Sequence, residues 1–354
     1  MTESLAAGSA LTDAQIARAV EWLVAEAVSV ADKAAFLTAL ARKGETTAEL
    51  TAFARELRAR AIVPPLAPET RAGEFLDVCG TGGDRLNTFN ISTTVALVVA
   101  AAGVTVAKHG NRAITSASGS ADVLEALGLR IDRPPAEAAQ LLRDHQFAFF
   151  FAQHYHPAFK HLGPARRLCA ERGQRTIFNF LGPLLNPARP TAQVIGVPRP
   201  ELCEPMAKVL QSLGVRRGMV VCGEVPCSRF GVQSSVGPAF LDELSTLGET
   251  TIAEFYHDRG FAVSKLSPQD FPVLPATLTD LAGGDRTANA EIIRQLLGGR
   301  EQGPKRDAVL LNAGAALFIA GRTKSLTEGW LLAADVLSQG AAAAKLAELS
   351  QRTA

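Results

Sequence analysis

The chain has 354 residues and a near-neutral charge balance, with 36 Lys and Arg against 35 Asp and Glu. This length can bury a large core and suggests two domains, and the lack of a basic excess argues against nucleic acid as a partner. The longest apolar run, residues 95–104, is too short to span a membrane, and the N-terminal residues show no export signal, so we expect a cytoplasmic protein. Five scattered cysteines without CxxC spacing indicate reduced structural thiols.

Residues 11–61 have the pattern of three helices. Thr12 and Thr46 each begin a capping box, and Ser29 can cap the helix between them. No strand pattern appears here, so we predict a small helical domain. The proline-rich residues 63–70 then mark the hinge into a different kind of structure.

Beyond the hinge, a short apolar strand at residues 75–79 is followed by GTGGD at residues 80–84 and by an apolar helix that Gly103 ends. Glycines let the backbone approach an anion closely and direct N–H groups at it. Ser92 and Thr93 fall at the positive N-terminal end of the helix. This pattern predicts a phosphate site.

A second strand at residues 104–107 leads into KHGNR at residues 108–112. Several hydroxyl groups then precede the next helix, which ends at Gly128. Two strand ends and two helix starts therefore converge within about fifty residues, the arrangement that forms a ligand crevice in an open α/β sheet. The hydroxyl residues are Thr115, Ser116, Ser118 and Ser120.

Strands and helices continue to alternate, which implies a mainly parallel sheet. We predict a helix at residues 135–145 and strands at 147–152, 191–197, 218–223, 249–256 and 261–268, with helices at 199–214 and from about Asn289. Two long alanine-rich helices follow, at residues 307–321 and 325–350, and Ser325 caps the second. Asn312, within an apolar helix, is interpreted as a packing residue rather than a catalyst.

The segment QHYHPAFKHLGPARR, at residues 153–167, is basic and aromatic. Three interpretations remain open: a metal site of His154, His156 and His161, a solvated basic helix, or the lining of a site for a flat anionic acceptor. The third is favoured because Arg can pair with a carboxylate and Tyr can lie along a ring. The prolines and Gly182 of TIFNFLGPLLNP, at residues 176–187, predict a rigid turn that does not continue a helix.

The segments DVCGTGGD, TFNIST, AKHGNR and SGSADVLEALG together resemble the anthranilate phosphoribosyltransferase family. The resemblance covers nearly the whole chain. It implies an α/β fold with a small N-terminal all-helical domain and a larger α/β domain, whose mainly parallel central sheet is flanked by helices. The implied domains are residues 1–68, completed by helices from about 160–190, and residues 72–354.

The implied reaction transfers the phosphoribosyl group of phosphoribosyl pyrophosphate (PRPP) to the amine of anthranilate, expelling pyrophosphate with Mg2+. The implied PRPP-binding residues are Gly80, Thr81, Gly82, Gly83, Asp84, Thr88, Asn90, Ser92, Thr93, Lys108 and Ser120. The implied anthranilate-binding residues are Gly80, His109, Asn111, Tyr155, His156 and Arg166. The implied magnesium ligands are Ser92, Asp242 and Glu243, because Mg2+ is usually held by one or two carboxylates together with phosphate oxygens. No acid or base catalyst is assigned.

The chain departs from the family pattern at three places. Ala117 stands between the serines, where the family usually has Lys, and Arg85 or Arg112 could compensate for it. The connection between Arg167 and Thr176 is about three residues longer than the family's. The loop at residues 223–240 is also longer, and it either caps the site or decorates the surface.

Two other functions are compatible with the same architecture. A pyrimidine nucleoside phosphorylase would use inorganic phosphate and a nucleoside, but the segment at residues 176–187 and the intact Asp242–Glu243 pair favour the transferase. A non-catalytic nucleic-acid-binding paralogue is disfavoured by the neutral charge. The resemblance also implies a homodimer formed through the helical domain, with no nucleic acid and no membrane as partners.

Overall fold

The structure is a computed structural model that describes residues 5–113, 117–229, 238–256 and 259–351. Its first three helices are α1 (Asp13–Val24), α2 (Val30–Lys43) and α3 (Thr47–Ala59). The predicted caps are confirmed. The hydroxyls of Thr12 and Thr46 each accept from the backbone three residues on, with the return bond of a capping box, and Ser29 caps α2.

The helical bundle is held by buried apolar side chains and by buried charged groups, among them Glu49. Glu49 is 1 % exposed; it accepts from the backbone N–H groups of Leu11 and Thr46 and pairs with Lys43 at 2.6 Å. A buried carboxylate is stable when its oxygens are satisfied in this way. Glu49 therefore ties the start of α1 to the turn between α2 and α3.

The α/β part follows the short helix α4 (Pro68–Ala72). Its strands are β1 (Phe75–Gly80), β2 (Thr105–Gly110), β3 (Phe147–Phe151), β4 (Ala192–Gly196), β5 (Arg217–Val225), β6 (Ala239–Leu241), β7 (Thr250–Tyr256) and β8 (Arg259–Leu266). Its helices are α5 (Ile91–Ala101), α6 (Ser120–Ala126), α7 (Pro135–His145), α8 (Ala152–Tyr155), α9 (Gly163–Glu171), α10 (Phe178–Leu184), α11 (Cys203–Ser212), α12 (Arg286–Leu297), α13 (Pro304–Ile319), α14 (Leu326–Ser338) and α15 (Ala341–Gln351). No helix among the described residues is long and apolar enough to cross a membrane.

The strands of the described segments form one sheet in the order β3-β2-β1-β4-β5-β7-β8, with β6 beside β5. Strands β1 to β5 pair in parallel, whereas β6, β7 and β8 are antiparallel. The mainly parallel sheet is thus confirmed. Strands β1, β2 and β3 follow one another toward one edge of the sheet, and β4, β5, β7 and β8 follow one another toward the other edge. The adjacent strands β1 and β4 therefore form a topological switch point. Ligands bind at the carboxyl ends of the strands at such points.

Helices α9 and α10 pack in the same hydrophobic cluster as α1, α2 and α3. The cluster also includes residues of β4, β5, β7 and α11, so the bundle is continuous with one face of the sheet. The other face is covered by α5 and by α12 to α15. Residues 163–184 therefore pack with the bundle against this face of the sheet.

Two helix predictions are wrong. The predicted turn at residues 176–187 contains α10, with Pro183 inside it. Pro183 removes one backbone donor in the last turn only, while the helix buries Phe178, Leu181 and Leu184. The predicted single helix at residues 325–350 is broken at Gly340, whose φ of +72° ends α14 before α15 begins.

Three boundaries also differ. Strand β2 continues through the first part of KHGNR to Gly110, so Lys108 and His109 are strand residues. Helix α12 begins at Arg286, capped by the Asp285 side chain, rather than near Asn289. The ends of the predicted loop at 223–240 are strands, because β6 folds back on β5 with Gly223 opposite Leu241. Residues 230–237 of that loop lie outside the described residues.

Candidate active site

The site lies at the carboxyl ends of β1 and β4, the switch point of the sheet. Gly80 and Gly196 are paired there, and Asp242 lies directly against both. A Cβ on Gly80 would overlap Asp242 Oδ2, and one on Gly196 would overlap the Asp242 carbonyl group. Glycine is thus required at both strand ends because the loop after β6 crosses them.

The glycine loop after β1 has an unusual backbone. Gly82, Gly83, Arg85 and Asn87 all have φ between +53° and +88°, a region that side-chain-bearing residues seldom adopt. The N–H of Gly82 donates to Asp242 Oδ2 at 2.7 Å. Strained backbone of this kind is maintained where it positions groups for function.

The start of α5 is joined to the acidic pair Asp242–Glu243 and to Lys108 of β2. The N–H of Ser92 donates to Glu243 Oε1 at 3.1 Å. Lys108 is 1 % exposed, and its Nζ donates to the Val78 carbonyl at 2.7 Å and to Ser92 Oγ at 3.4 Å. The structure therefore brings together the glycine loop, the helix start, the lysine and the acidic pair, which are separated by up to 160 residues in sequence.

The carboxylates of Asp242 and Glu243 accept hydrogen bonds from the N–H groups of Gly82 and Ser92, which the sequence analysis predicted to bind phosphate. Burial, followed by the charges of Asp84 and Glu243, raises the pKa of Asp242 well above its usual range. Burial raises the pKa of Glu243 to about 8, against the opposing charge of Lys108. Two half-buried carboxylates beside Asp84 repel one another as free anions, so the arrangement favours an added cation.

Alanine at the two strand-end glycines should give different defects. In Gly80→Ala the clash is with a carboxylate end that can rotate, so we expect a folded protein with low activity. In Gly196→Ala the clash is with the Asp242 backbone, so the melting temperature should fall much further. Thermal unfolding and steady-state kinetics measure both, with Gly182→Ala, whose Cβ meets nothing within 4 Å, as control. Equal melting temperatures for the Gly80 and Gly196 variants would contradict the geometry.

The raised pKa of Glu243 predicts a stability that depends on pH. An unfolded glutamate titrates near pH 4.3, so the folded protein retains a proton that the unfolded chain loses as pH rises from about 4.5 to about 8. Stability should fall across that window in the metal-free protein. Glu243→Gln lacks this titration. The melting temperature of the variant minus that of the wild type should therefore increase from about pH 5 to about pH 8. Parallel melting curves across this range would refute the assignment.

The connection between β2 and α6 forms a second polar region at the start of α5. Asn90 Nδ2 donates to the Ser118 carbonyl at 3.1 Å, and Asn90 Oδ1 accepts from Asn289 at 2.9 Å. Ser120 Oγ donates to the Asn111 carbonyl at 3.4 Å. The connection is therefore attached to Asn90 at the start of α5, and Asn289 of α12 holds the same Asn90 side chain. The sequence analysis did not single out Asn289. The available signal was an amide residue in the first turn of a predicted helix.

The other threonine and serine residues of the predicted phosphate site differ in their surroundings. Thr88 forms an isolated bridge with Ala282, and Thr93 is buried with no hydrogen-bond partner for its hydroxyl among the described residues. Thr81 N–H donates to the Gly196 carbonyl. Thr115 and Ser116 lie outside the described residues.

Arg112 is not free to compensate for Ala117. Its guanidinium donates to Asp122 and, through two nitrogens, to Glu125 at 3.0–3.1 Å. These hydrogen bonds raise the pKa of Arg112. Arg85 is exposed and remains the candidate.

The side predicted to bind the acceptor is a chain of ring contacts that ends on an arginine. His109 meets His156 with ring centroids 5.7 Å apart, His156 stacks on Phe159 at 5.0 Å, and Phe159 meets Phe178 at 5.7 Å. The Arg166 guanidinium lies 5.3 Å from the Phe178 ring centre. Phe178 was missed because an aromatic residue in an apolar run has the same pattern as a core residue, and Phe159 was not singled out within its basic and aromatic segment.

Arg166 is half-buried, and burial lowers its pKa. No carboxylate pairs with it in the part of the chain that the structure describes. Its neighbour Arg167 is exposed. An unpaired, desolvated guanidinium stacked on an aromatic ring is suited to binding a planar carboxylate.

The two histidines of this chain of rings are neutral hydrogen-bonding groups. Burial lowers the pKa of His109 to about 3 and also lowers that of His156, whose Nε2 is 2.9 Å from the Leu185 carbonyl. Among the described residues, His154, His156 and His161 form no group that could hold a metal ion, so the histidine metal interpretation is wrong. Tyr155 lies in the core against Phe150, in a different hydrophobic cluster from Phe178. The structure thus does not bring it beside Arg166.

A buried network of polar side chains, centred on Asp77, lies within the sheet behind the site. Asp77 accepts from the His109 N–H at 3.2 Å and from Asn186 Nδ2 at 2.9 Å, and Gln193 Nε2 donates to the Pro183 carbonyl. Burial raises the pKa of Asp77 to about 6, although the charge of Lys108 opposes this. The network fixes β1, β2 and the end of α10 relative to one another. Polar residues inside apolar strands were the available signal.

One contact joins the acceptor segment to the glycine loop. Arg175, in the connection between Arg167 and Thr176, donates to the Gly83 carbonyl at 3.0 Å. The segments that carry Arg166 and the glycines are therefore in direct contact.

Comparison with known proteins gives the same assignment. The glycosyl transferase family helical bundle domain matches residues 1–61, and the a/b domain of that family matches residues 72–343. An anthranilate phosphoribosyltransferase of Moorella thermoacetica is 47 % identical over 341 residues, covering 96 % of this chain and 94 % of that protein. The chain belongs to the anthranilate phosphoribosyltransferase family. It is therefore a phosphoribosyltransferase of tryptophan biosynthesis.

Solved structures of the family share the whole fold. The anthranilate phosphoribosyltransferase of Thermus thermophilus has a TM-score of 0.85 at 40 % identity, with 99 % of this chain and 98 % of that chain covered. The Saccharomyces cerevisiae enzyme in complex with PRPP and Mg has a TM-score of 0.84 at 25 % identity, with 99 % and 96 % covered. The predicted α/β fold with its helical bundle is thereby confirmed.

Proposed function

We propose that this protein transfers the 5-phosphoribosyl group of PRPP to the amine of anthranilate and releases pyrophosphate, the second step of tryptophan biosynthesis from chorismate. The observation that carries the proposal is the meeting of the glycine loop, the α5 start, Lys108 and the acidic pair at the β1/β4 switch point. Displacement at the anomeric carbon passes through a cation-like sugar. It requires alignment of the reactants and stabilisation of the leaving group rather than a nucleophile on the enzyme.

The donor is held by backbone N–H groups and by hydroxyls. The N–H groups of Gly82 and Ser92 face the acidic pair, and an incoming phosphate takes these donors when the carboxylates turn to a cation. Lys108, buried beside Ser92, supplies a fixed positive charge. The proposed donor residues are those predicted from the sequence: Gly80, Thr81, Gly82, Gly83, Asp84, Thr88, Asn90, Ser92, Thr93, Lys108 and Ser120.

The acidic pair fits a magnesium ion. Asp242 and Glu243 are half-buried, Asp84 is close enough to raise the pKa of both, and Ser92 Oγ adds an oxygen ligand. Such a set is completed by phosphate oxygens, as is usual for Mg2+ in proteins. When bound, the ion neutralises the charge of the departing pyrophosphate.

The acceptor lies along the ring chain. Arg166 pairs with the anthranilate carboxylate, and His109, Asn111 and His156 line the approach to Gly80. Because His109 is neutral at physiological pH, its ring can hydrogen-bond to the acceptor amine without adding positive charge beside the cation-like sugar. Tyr155 supports this wall from within the core.

The wider assignment is also proposed. The first domain comprises residues 1–68 with helices from about 160–190, the second comprises residues 72–354, and two copies pair through the helical domain. The protein acts in the cytoplasm on small molecules and not on nucleic acid, which the formal net charge of +1 supports.

The test is the loss of anthranilate fluorescence when purified protein is mixed with PRPP and Mg2+. We expect a loss that requires Mg2+, with a chelator-treated sample as control and Asp242→Asn as a variant of reduced rate. A folded protein that leaves the fluorescence unchanged would overturn the proposed acceptor. Phosphorolysis of pyrimidine nucleosides would then be assayed.

A further inference from the structure

The loop that carries the acidic pair is held by a side chain from a distant helix. Leu244, the next residue after Glu243, is 1 % exposed. Its N–H donates to Asn312 Oδ1 at 2.9 Å, and its carbonyl accepts from Asn312 Nδ2 at 3.0 Å. The amide of Asn312 thus satisfies both backbone groups of Leu244, as the partner in a β-ladder would.

Asn312 is itself fixed. It lies in the middle of α13, is 3 % exposed, and its Nδ2 donates a second bond to the Ala308 carbonyl at 2.9 Å. Both amide hydrogens face carbonyls and the oxygen faces an N–H, so the amide orientation is determined. Helix α13 cannot shift easily, because Gly314 packs directly against Gly329 of α14.

The rest of the loop is anchored to the sheet. Ser245 Oγ donates to the Glu224 carbonyl at 2.7 Å, and the Ser245 N–H donates to Thr250 Oγ1 at 2.9 Å. These bonds attach the loop to β5 and β7, whereas Asn312 attaches it to a helix behind the sheet. The backbone next to the acidic pair is therefore held from two directions.

We propose that Asn312 is a positioning residue for the acidic pair. It holds the backbone of Asp242 and Glu243 so that both carboxylates face the β1/β4 crevice together, and it thereby sets the affinity of the site for a divalent cation with pyrophosphate. This inference rests on the proposed function, since it takes the pair as the cation site. Mg2+ requires near-ideal ligand geometry, and supporting groups behind metal ligands typically change metal affinity about 10- to 100-fold.

The first measurement tests the attachment without any ligand. In Asn312→Ala, amide hydrogen exchange at Leu244 and its neighbours should be about 10-fold faster or more, because both backbone groups lose their partner. Leu317→Ala is the matched control: it removes fully buried atoms from the same helix and lowers stability. If the two variants change exchange in this loop equally, the effect reflects global stability and the inference is overturned.

The second measurement tests the consequence. Mn2+ binding in the presence of inorganic pyrophosphate, followed by electron paramagnetic resonance, should weaken about 10-fold in Asn312→Ala and stay at the wild-type value in Leu317→Ala. The KM for anthranilate should be unchanged in both. Unaltered Mn2+ affinity in Asn312→Ala overturns the positioning role alone. A wild-type protein that does not bind Mn2+ overturns the proposed cation site as well, and the exchange measurement distinguishes the two failures.

Discussion

Replacing Lys108 with Met should lower kcat/KM for PRPP by about 10²- to 10³-fold, the effect of removing one fixed charge or donor from a preorganised site. The reason is structural as well as electrostatic. Lys108 is the buried cation beside Ser92 Oγ, and its charge acts on both Asp77 and Glu243. Without it, both carboxyls hold their protons more tightly, and the site loses its positive charge for phosphate. The KM for anthranilate should change far less.

Lys33→Met separates this effect from the general cost of removing a buried lysine. Lys33 is equally buried, at 1 % exposure, but it lies in the helical bundle and donates to the Ala25 and His161 carbonyls. We expect it to lower the melting temperature and to leave the requirement for PRPP unchanged. Equal changes in the donor and acceptor requirements of Lys108→Met would refute the assignment of Lys108 to the pyrophosphate end.

Replacing Arg166 with Ala should raise the KM for anthranilate about 10- to 100-fold, since a hydrogen-bonded charged group contributes about 1.5–3 kcal/mol. The guanidinium is held over Phe178 and has no carboxylate partner in the described chain, so its loss removes an acceptor contact without freeing a buried acid. PRPP binding, measured by calorimetry in the absence of anthranilate, should survive.

Arg167→Ala is the control within the same helix, because Arg167 is exposed. Its kinetics should match the wild type. If instead Arg167→Ala raises the KM and Arg166→Ala does not, the carboxylate site belongs to Arg167.

Local chemistry in the sequence predicted much of the framework correctly. The capping boxes at Thr12 and Thr46 and the apolar strand before Gly80 depend on neighbouring residues, so short-range patterns are sufficient to locate them. The same reasoning failed at residues 178–184, where tertiary burial outweighs one lost backbone bond at Pro183. It failed again at Gly340, where one glycine with positive φ divides an alanine-rich run.

The sequence by itself determined the fold class and the family, because glycines, hydroxyls and charged groups occur in contiguous motifs that also predict the proposed donor site. Only the tertiary structure decided which backbone donors the acidic pair meets, that Arg112 is engaged by Asp122 and Glu125, and that Asn312 anchors Leu244. The physical reason is sequence separation. Asp242 lies 160 residues from Gly82, and Asn312 lies 68 residues from Leu244, so these contacts exist only once the strands have paired and the helices have packed behind them.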